Sequence, residues 1–101
     1  MYYQDLRSRD HISIHIDEMK KLDFIFIPEL ICDEYKEAIY KKEIKTIDYS
    51  LNSQLKVDIE DLKRKIYKLN SNNILIILTD YFGVTDIENV INALDIHEKS
   101  L

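Results

Sequence analysis

The sequence predicts an α/β fold: a small, mostly parallel β-sheet of about four strands with three main helices packed on it. Short apolar runs typical of buried strands, "FIFI" at 24–27 and "ILIIL" at 74–78, alternate with stretches of helical periodicity. Such alternation favours parallel strands joined by right-handed crossovers. A chain of 101 residues can bury one core but not two, so we expect a single compact domain over residues 1–101.

The segment nearest the N-terminus has two interpretations. "HISIHI" at 11–16 alternates polar and apolar residues as a strand does. A helix over 11–22 fits as well, because four apolar residues recur at helical spacing, namely Ile12, Ile16, Met19 and Leu22. We interpret the segment as a strand followed by a helical turn.

The apolar run at 24–27 is expected to lead into the first main helix. Pro28 comes directly after "FIFI", and proline is tolerated at the first position of a helix. The stretch "ELICDEYKEAIYKK" at 29–42 then offers an apolar inner face formed by Ile31, Tyr35, Ala38 and Ile39. "EIKTIDYSL" follows with β-branched and aromatic residues and predicts a strand over about 44–51.

The next helix has the clearest pattern. It is predicted over about 58–70 with Asp58 as its N-cap, and its buried face comprises Val57, Ile59, Leu62, Ile66 and Leu69. On its other face Glu60 pairs with Arg64, and Asp61 with Lys65, at i,i+4 spacing. We therefore interpret the basic run "KRKIYK" on this helix as a solvated face and not as a nucleic-acid site.

The last strand and helix complete the alternation. "ILIILT" is apolar on both faces, which is typical of a central strand covered on both sides. Thr85 stands three residues before Glu88, as in a capping box. The final helix is expected to bury a stripe formed by Ile87, Val90, Ile91 and Leu94.

Composition limits the partners and the compartment. The chain carries 19 acidic and 14 basic residues, a net charge of −5, which disfavours binding to nucleic acid. Its apolar runs are far shorter than the roughly 20 residues of a membrane-spanning helix. No basic start followed by an apolar region precedes the domain, so we expect no export signal. With a single cysteine, Cys32, and no internal disulfide, we expect a cytoplasmic protein.

Features that could carry chemistry have simpler interpretations. A phosphate-binding loop needs several glycines, whereas Gly83 is the only one here and is better explained as a turn residue. His11 and His15 share one face at metal-ligand spacing, but without partner cysteines we interpret them as part of a solvated strand face. Cys32 is followed by two acids, which oppose thiolate formation. We expect no catalytic residue, no metal and no cofactor.

The best functional signal is the placement of acids beside aromatic residues. In parallel sheets ligands bind beyond the carboxyl ends of the strands, and the chain's acids and tyrosines recur after its predicted strands. Tyrosine is common in interfaces because it buries a large area at low entropic cost. The predicted partner-binding residues are Glu29, Asp33, Asp80, Tyr81, Phe82, Asp86 and Glu88. The alternative is that acids in first helical turns only complement the helix dipole.

These signals give a preferred hypothesis and two alternatives. We expect a small acidic protein-binding module that occludes a basic partner protein, such as a toxin or nuclease, as immunity proteins, antitoxins and phage inhibitors do. The first alternative is a regulatory or catalytic domain in which Asp80, with Glu29 or Asp48, handles phosphate or a metal. The second is a subunit of a larger assembly, which predicts an exposed apolar patch.

Overall fold

The computed structural model describes residues 2–5, 22–31, 33–71, 73–79 and 87–94. Within them the strands are β1 (Tyr2–Asp5), β2 (Phe24–Pro28), β3 (Lys45–Tyr49) and β4 (Ile74–Leu78). The helices of the same residues are α1 (Asp33–Tyr40), α2 (Ile59–Tyr67) and α3 (Ile87–Ala93). The predicted α/β class is confirmed.

The four described strands form one sheet in the order β1-β4-β2-β3, and every neighbouring pair is parallel. The chain moves from β2 to its neighbour β3, and then returns past β2 to reach β4. Right-handed crossovers in opposite directions place α1 and α2 on opposite faces of the sheet. The strand order therefore reverses between β2 and β4, and we call this place the switch point.

The packing on the two faces agrees with this topology. On one face, Ile39 of α1 packs with Ile25 and Leu75. On the other, Leu62 of α2 packs with Phe26, in a cluster that also contains Val90 of α3. All five residues of β4 are buried, as predicted for a central strand. Each such buried Leu or Ile stabilises the fold by about 2 kcal/mol.

The first strand differs from the prediction. The structure has a strand at Tyr2–Asp5, in register with Leu75–Leu78 of β4. The strand predicted at 11–16 lies outside the described residues. A segment of four residues gives little periodicity to detect, so β1 became recognisable only from its pairing with β4.

The assignment of Pro28 to the start of a helix was wrong. Pro28 is the buried last residue of β2, and α1 begins only at Asp33. Proline is found at strand ends, and the β2–β4 pairs stop two residues before it, at Phe26 and Ile76.

The elements on either side of the loop at 50–58 are shorter than predicted. The strand predicted over 44–51 is Lys45–Tyr49, and beyond it Leu51 forms an isolated antiparallel bridge with Val57. The helix predicted over 58–70 is Ile59–Tyr67. Its N-cap is Asp58 as predicted, and the Asp58 carboxylate accepts a hydrogen bond from the Asp61 N–H at 3.1 Å.

Candidate functional site

Acidic side chains dominate the end of the sheet where the strands finish, which we call the carboxyl end. Among the described residues in 29–34, 50–61 and 87–88, seven are acidic and one is basic. The acids are Glu29, Asp33, Glu34, Asp58, Glu60, Asp61 and Glu88, and the base is Lys56. Helix N-termini carry partial positive charge, so acids in the first turns are stabilised where they stand.

The opposite end of the sheet, the amino end, has the reverse balance. Its described residues in 22–23, 41–45 and 68–73 comprise two acids and four lysines. The acids are Asp23 and Glu43, and the lysines are Lys41, Lys42, Lys45 and Lys68. Among these described residues, the two ends of the sheet therefore differ in charge along the strand direction.

Asp61 is the residue that the sequence analysis misjudged. We predicted it on a solvated helix face, but it is only 8% exposed. Its Oδ2 accepts the Ser50 N–H at 3.1 Å, and its carboxylate forms ion pairs with Arg64 at 2.6 Å and Lys65 at 3.1 Å. The carboxylate thus ties the start of α2 to the residue that follows β3.

The environment of Asp61 favours its ionised form. Burial on its own raises the pKa of this carboxyl, because it disfavours the charged form. The hydrogen bonds from Ser50 and Lys65 and the charges of Lys65 and Arg64 outweigh that effect, and the pKa lies below its usual value. Asp61 therefore acts as a fixed anion that holds its three partners in place.

Glu29, the residue directly after β2, makes the corresponding contact. Its N–H donates to the Tyr49 carbonyl at 3.0 Å, and its Oε1 accepts the Leu51 N–H at 3.1 Å. Two consecutive amides after β3, those of Ser50 and Leu51, are therefore each held by a carboxylate from a different element. This arrangement fixes the loop at 50–58 on the carboxyl end.

The tip of that loop is closed by its own hydrogen bonds. The Asn52 Oδ1 accepts the N–H groups of Gln54 at 2.8 Å and Lys56 at 3.1 Å. Leu55 adopts a φ of 62°, which is uncommon for a residue other than glycine, asparagine or aspartate. The Asn52 side chain thus closes the turn in a loop that contains no glycine.

Lys65 closes the outer side of the edge strand. Its Nζ donates to the Asp48 carbonyl at 2.7 Å while it pairs with Asp61. Since β3 has no strand beyond it among the described residues, this contact satisfies a carbonyl that points away from the sheet. A lysine at this place also hinders pairing with a further strand.

The structure places some of the predicted site residues at the carboxyl end. Three of them are exposed there: Glu29 directly after β2, Asp33 in α1 and Glu88 in α3. The other predicted residues, Asp80, Tyr81, Phe82 and Asp86, lie outside the described residues. The same holds for His11, His15, Cys32, Gly83 and Thr85.

Exposed apolar side chains are scattered over the described part of the chain. Leu30, 55% exposed, is next to Glu29 at the carboxyl end. Tyr40 and Tyr67 are also exposed, but each ends its helix at the amino end, and the two helices lie on opposite faces. These three side chains do not form one patch of the kind that a subunit of a larger assembly requires.

Two kinds of feature are absent from the described residues. The described residues contain no group of three or more His, Cys, Asp or Glu side chains placed to hold a metal ion. Within the same part of the chain, no helix has the length and apolar character needed to cross a membrane.

Comparison with known proteins assigns no family. The chain matches no protein-family model, and searches of curated proteins and of solved structures found no match. Any functional conclusion therefore depends on the site itself.

Proposed function

We propose that this protein is a small binding module that occludes a basic partner protein through the carboxyl end of its sheet. The observation that carries the proposal is the charge difference between the described residues of the two ends, with seven acids against one lysine at the carboxyl end and four lysines against two acids at the amino end. A basic surface is attracted to the first and repelled by the second, so the charge difference selects both the partner and its orientation.

The proposal assigns different roles to the acids. Asp61 holds the loop at 50–58, and Glu29 both holds it and remains exposed. Asp33 and Glu88 are exposed in the first turns of α1 and α3, where they can face a partner. Complementary charge of this kind mainly accelerates association.

Affinity in this proposal comes from apolar and aromatic anchors. Leu30 offers exposed apolar surface beside Glu29. Tyr81 and Phe82 follow β4 in the sequence and are proposed as the aromatic anchors that desolvate on binding. A partner that suits this surface is a basic protein, such as a toxin or nuclease, whose own working surface is cationic. Immunity proteins, antitoxins and phage inhibitors act in this way.

The test is capture of the partner from the native cell, with washes at low and at high salt and mass spectrometry of what remains. A double variant, Asp33→Asn with Glu88→Gln, removes two exposed charges at the carboxyl end. Its matched control, Glu37→Gln with Glu43→Gln, removes two exposed charges elsewhere. We expect a stoichiometric basic partner that high salt releases, that the first variant loses and that the control retains. Equal capture by both variants would contradict the proposal.

The topology favours one second candidate function. Asp80 comes two residues after β4, one of the two strands that flank the switch point, and open α/β sheets bind ligands beside that point. Asp80 would then serve as a metal ligand or phospho-acceptor. Titration with Mg²⁺ followed by calorimetry tests this: saturable binding that Asp80→Asn abolishes supports it, and heat of dilution alone opposes it.

A further inference from the structure

One hydrogen bond in the core passes across a whole strand. Tyr49 is the last residue of β3 and is 1% exposed. Its hydroxyl donates to the backbone carbonyl of Ile77 in β4 at 2.5 Å. Since β2 lies between β3 and β4, and Pro28 is opposite Tyr49 in the register, the tyrosine side chain must pass the position of Pro28.

The register explains why this carbonyl needs a donor. The Glu29 N–H donates to the Tyr49 carbonyl, so odd-numbered residues of β2 direct their backbone groups towards β3 and even-numbered residues towards β4. The β2–β4 pairs end at Phe26 and Ile76. The next residue of β2 that faces β4 is Pro28, and an N–H at that position would donate to the Ile77 carbonyl.

Proline removes that donor, because its nitrogen carries no hydrogen. The carbonyl of Ile77 is buried, and a buried carbonyl requires a partner. The Tyr49 hydroxyl supplies it. The proline and the tyrosine therefore form one arrangement at the switch point: the first interrupts the ladder and the second replaces the missing bond.

We propose that Tyr49 is the positioning residue of the carboxyl end, and that its hydroxyl fixes the point at which the chain leaves β4. Ile77 comes two residues before Thr79, after which the sequence reaches Asp80 and Tyr81. The backbone of Tyr49 leads directly into Ser50, which Asp61 holds. A single side chain thus links the exit of β3 to the exit of β4. The effect on partner binding rests on the proposed function, whereas the replacement of the ladder bond does not.

The hydrogen-bond replacement is tested by a double-mutant cycle. Tyr49→Phe removes only the hydroxyl, and we expect the folding equilibrium constant to fall roughly tenfold, as for other buried carbonyls that lose their donor. Pro28→Ala restores an N–H at position 28. In that background Tyr49→Phe should cost at most about twofold, since the ladder can then satisfy Ile77. Equal losses in both backgrounds would overturn the inference.

A spectroscopic measurement separates positioning from general destabilisation. In Tyr49→Phe we expect the carbonyl ¹³C resonance of Ile77 to shift and the amide protons of Leu78 and Thr79 to exchange faster. Pro28→Ala should reverse both changes. The matched control is Tyr67→Phe, because Tyr67 is 76% exposed at the end of α2, and this variant should leave these signals unchanged. An unchanged Ile77 resonance in Tyr49→Phe would contradict the proposal.

Binding is tested with poly-L-lysine as a basic probe, under conditions where circular dichroism shows each variant folded. If positioning matters, Tyr49→Phe weakens binding, Tyr49→Phe with Pro28→Ala recovers it, and Tyr67→Phe binds normally. If Asp33→Asn with Glu88→Gln weakens binding and Tyr49→Phe does not, the positioning role fails and the proposed function survives. If the acid variant also binds normally, the proposed function fails, and the mutant cycle still decides the hydrogen-bond replacement.

Discussion

The two ends of the sheet are held together by different interactions. At the amino end, Asp23 and Asn73 are joined by a backbone hydrogen bond of 2.8 Å, and the turn after α1 is closed by backbone bonds at Lys42 and Glu43. At the carboxyl end, two carboxylates, Asp61 and Glu29, hold backbone amides that follow β3. Carboxylates thus accept backbone N–H groups at the carboxyl end, whereas at the amino end the Asp23 carboxylate accepts a side-chain hydroxyl, that of Ser71, and the closures named above are made by backbone groups.

This difference has a consequence for sensitivity to substitution. A closure made of backbone groups survives most side-chain changes, whereas a closure made by a carboxylate is lost with that carboxylate. The carboxyl end should therefore be the more fragile of the two, and it is also the end that we propose for partner binding.

The largest effect is expected from Asp61→Ala. It leaves the Ser50 N–H without its acceptor and removes the ion pairs with Arg64 and Lys65, so we expect the free energy of unfolding to fall by about 2 kcal/mol. Urea denaturation measures it. Glu60→Ala, on the exposed side of the same turn, is the control and should change stability by less than about 0.5 kcal/mol. Equal losses of stability in the two variants would mean that the contacts of Asp61 do not stabilise the fold.

Part of the Asp61 contribution should be visible in the pH dependence of stability. The pKa of Asp61 in the folded protein lies below the unfolded value of 3.8, so the unfolded state takes up its proton first as the pH falls. The stabilisation is complete above that value and disappears as the pH drops through the folded pKa. Wild type should therefore lose more stability than Asp61→Asn between pH 5 and pH 2, a window of about three units around these values. Parallel curves for the two proteins would refute this assignment.

A smaller effect is expected from Asp58→Ala. Loss of the N-cap leaves the Asp61 N–H without its acceptor, and such losses cost about 1 kcal/mol. Thermal or urea unfolding measures it, and Asp58→Ser, which retains a capping oxygen, should recover most of the stability. A serine variant as unstable as the alanine variant would show that the capping bond is not the cause.

Glu29→Ala should have a smaller effect still. The Leu51 amide that it holds is exposed to water, which can replace the carboxylate, so we expect a loss of about 0.5 kcal/mol. The comparison at the amino end is Ser71→Ala, which removes the exposed hydrogen bonds that the hydroxyl donates to Asp23 and accepts from the Asn73 N–H, and which should cost no more. If Ser71→Ala destabilises the protein more than Asp61→Ala does, the order of fragility of the two ends is reversed.

The sequence was sufficient for the elements with strong local patterns. Short-range patterns predict three features: the buried residues of β4, the apolar stripe of α2 and its N-cap, Asp58. Each depends only on residues that are close in the sequence. The polar side of α2 was misjudged because the partner of Asp61 is Ser50, in a loop that only the tertiary fold brings close. The i,i+4 spacing predicted ion pairs on a solvated helix face. The contact of Asp61 with the Ser50 N–H shows that the loop after β3 covers part of that face.

Pro28 shows a second limit of local rules. Proline is common both at the start of helices and at the ends of strands, so its local sequence does not separate the two assignments. What separates them is whether position 28 lies beside another strand. That placement is seen only in the register of β2 with β4 and in the contact of Tyr49 with Ile77, two strands away. For the candidate site, sequence alone located the exposed acids Glu29, Asp33 and Glu88 but not the carboxylate that organises their surroundings.

The most direct test of the central claim is hydrogen–deuterium exchange on the protein with and without its captured partner. We predict protection at the carboxyl end, over 29–34, 50–61 and 87–90, and unchanged exchange at the amino end, over 41–45 and 68–73. Protection confined to the amino end would contradict the account, because the partner would then bind the lysine-rich end and avoid the acids.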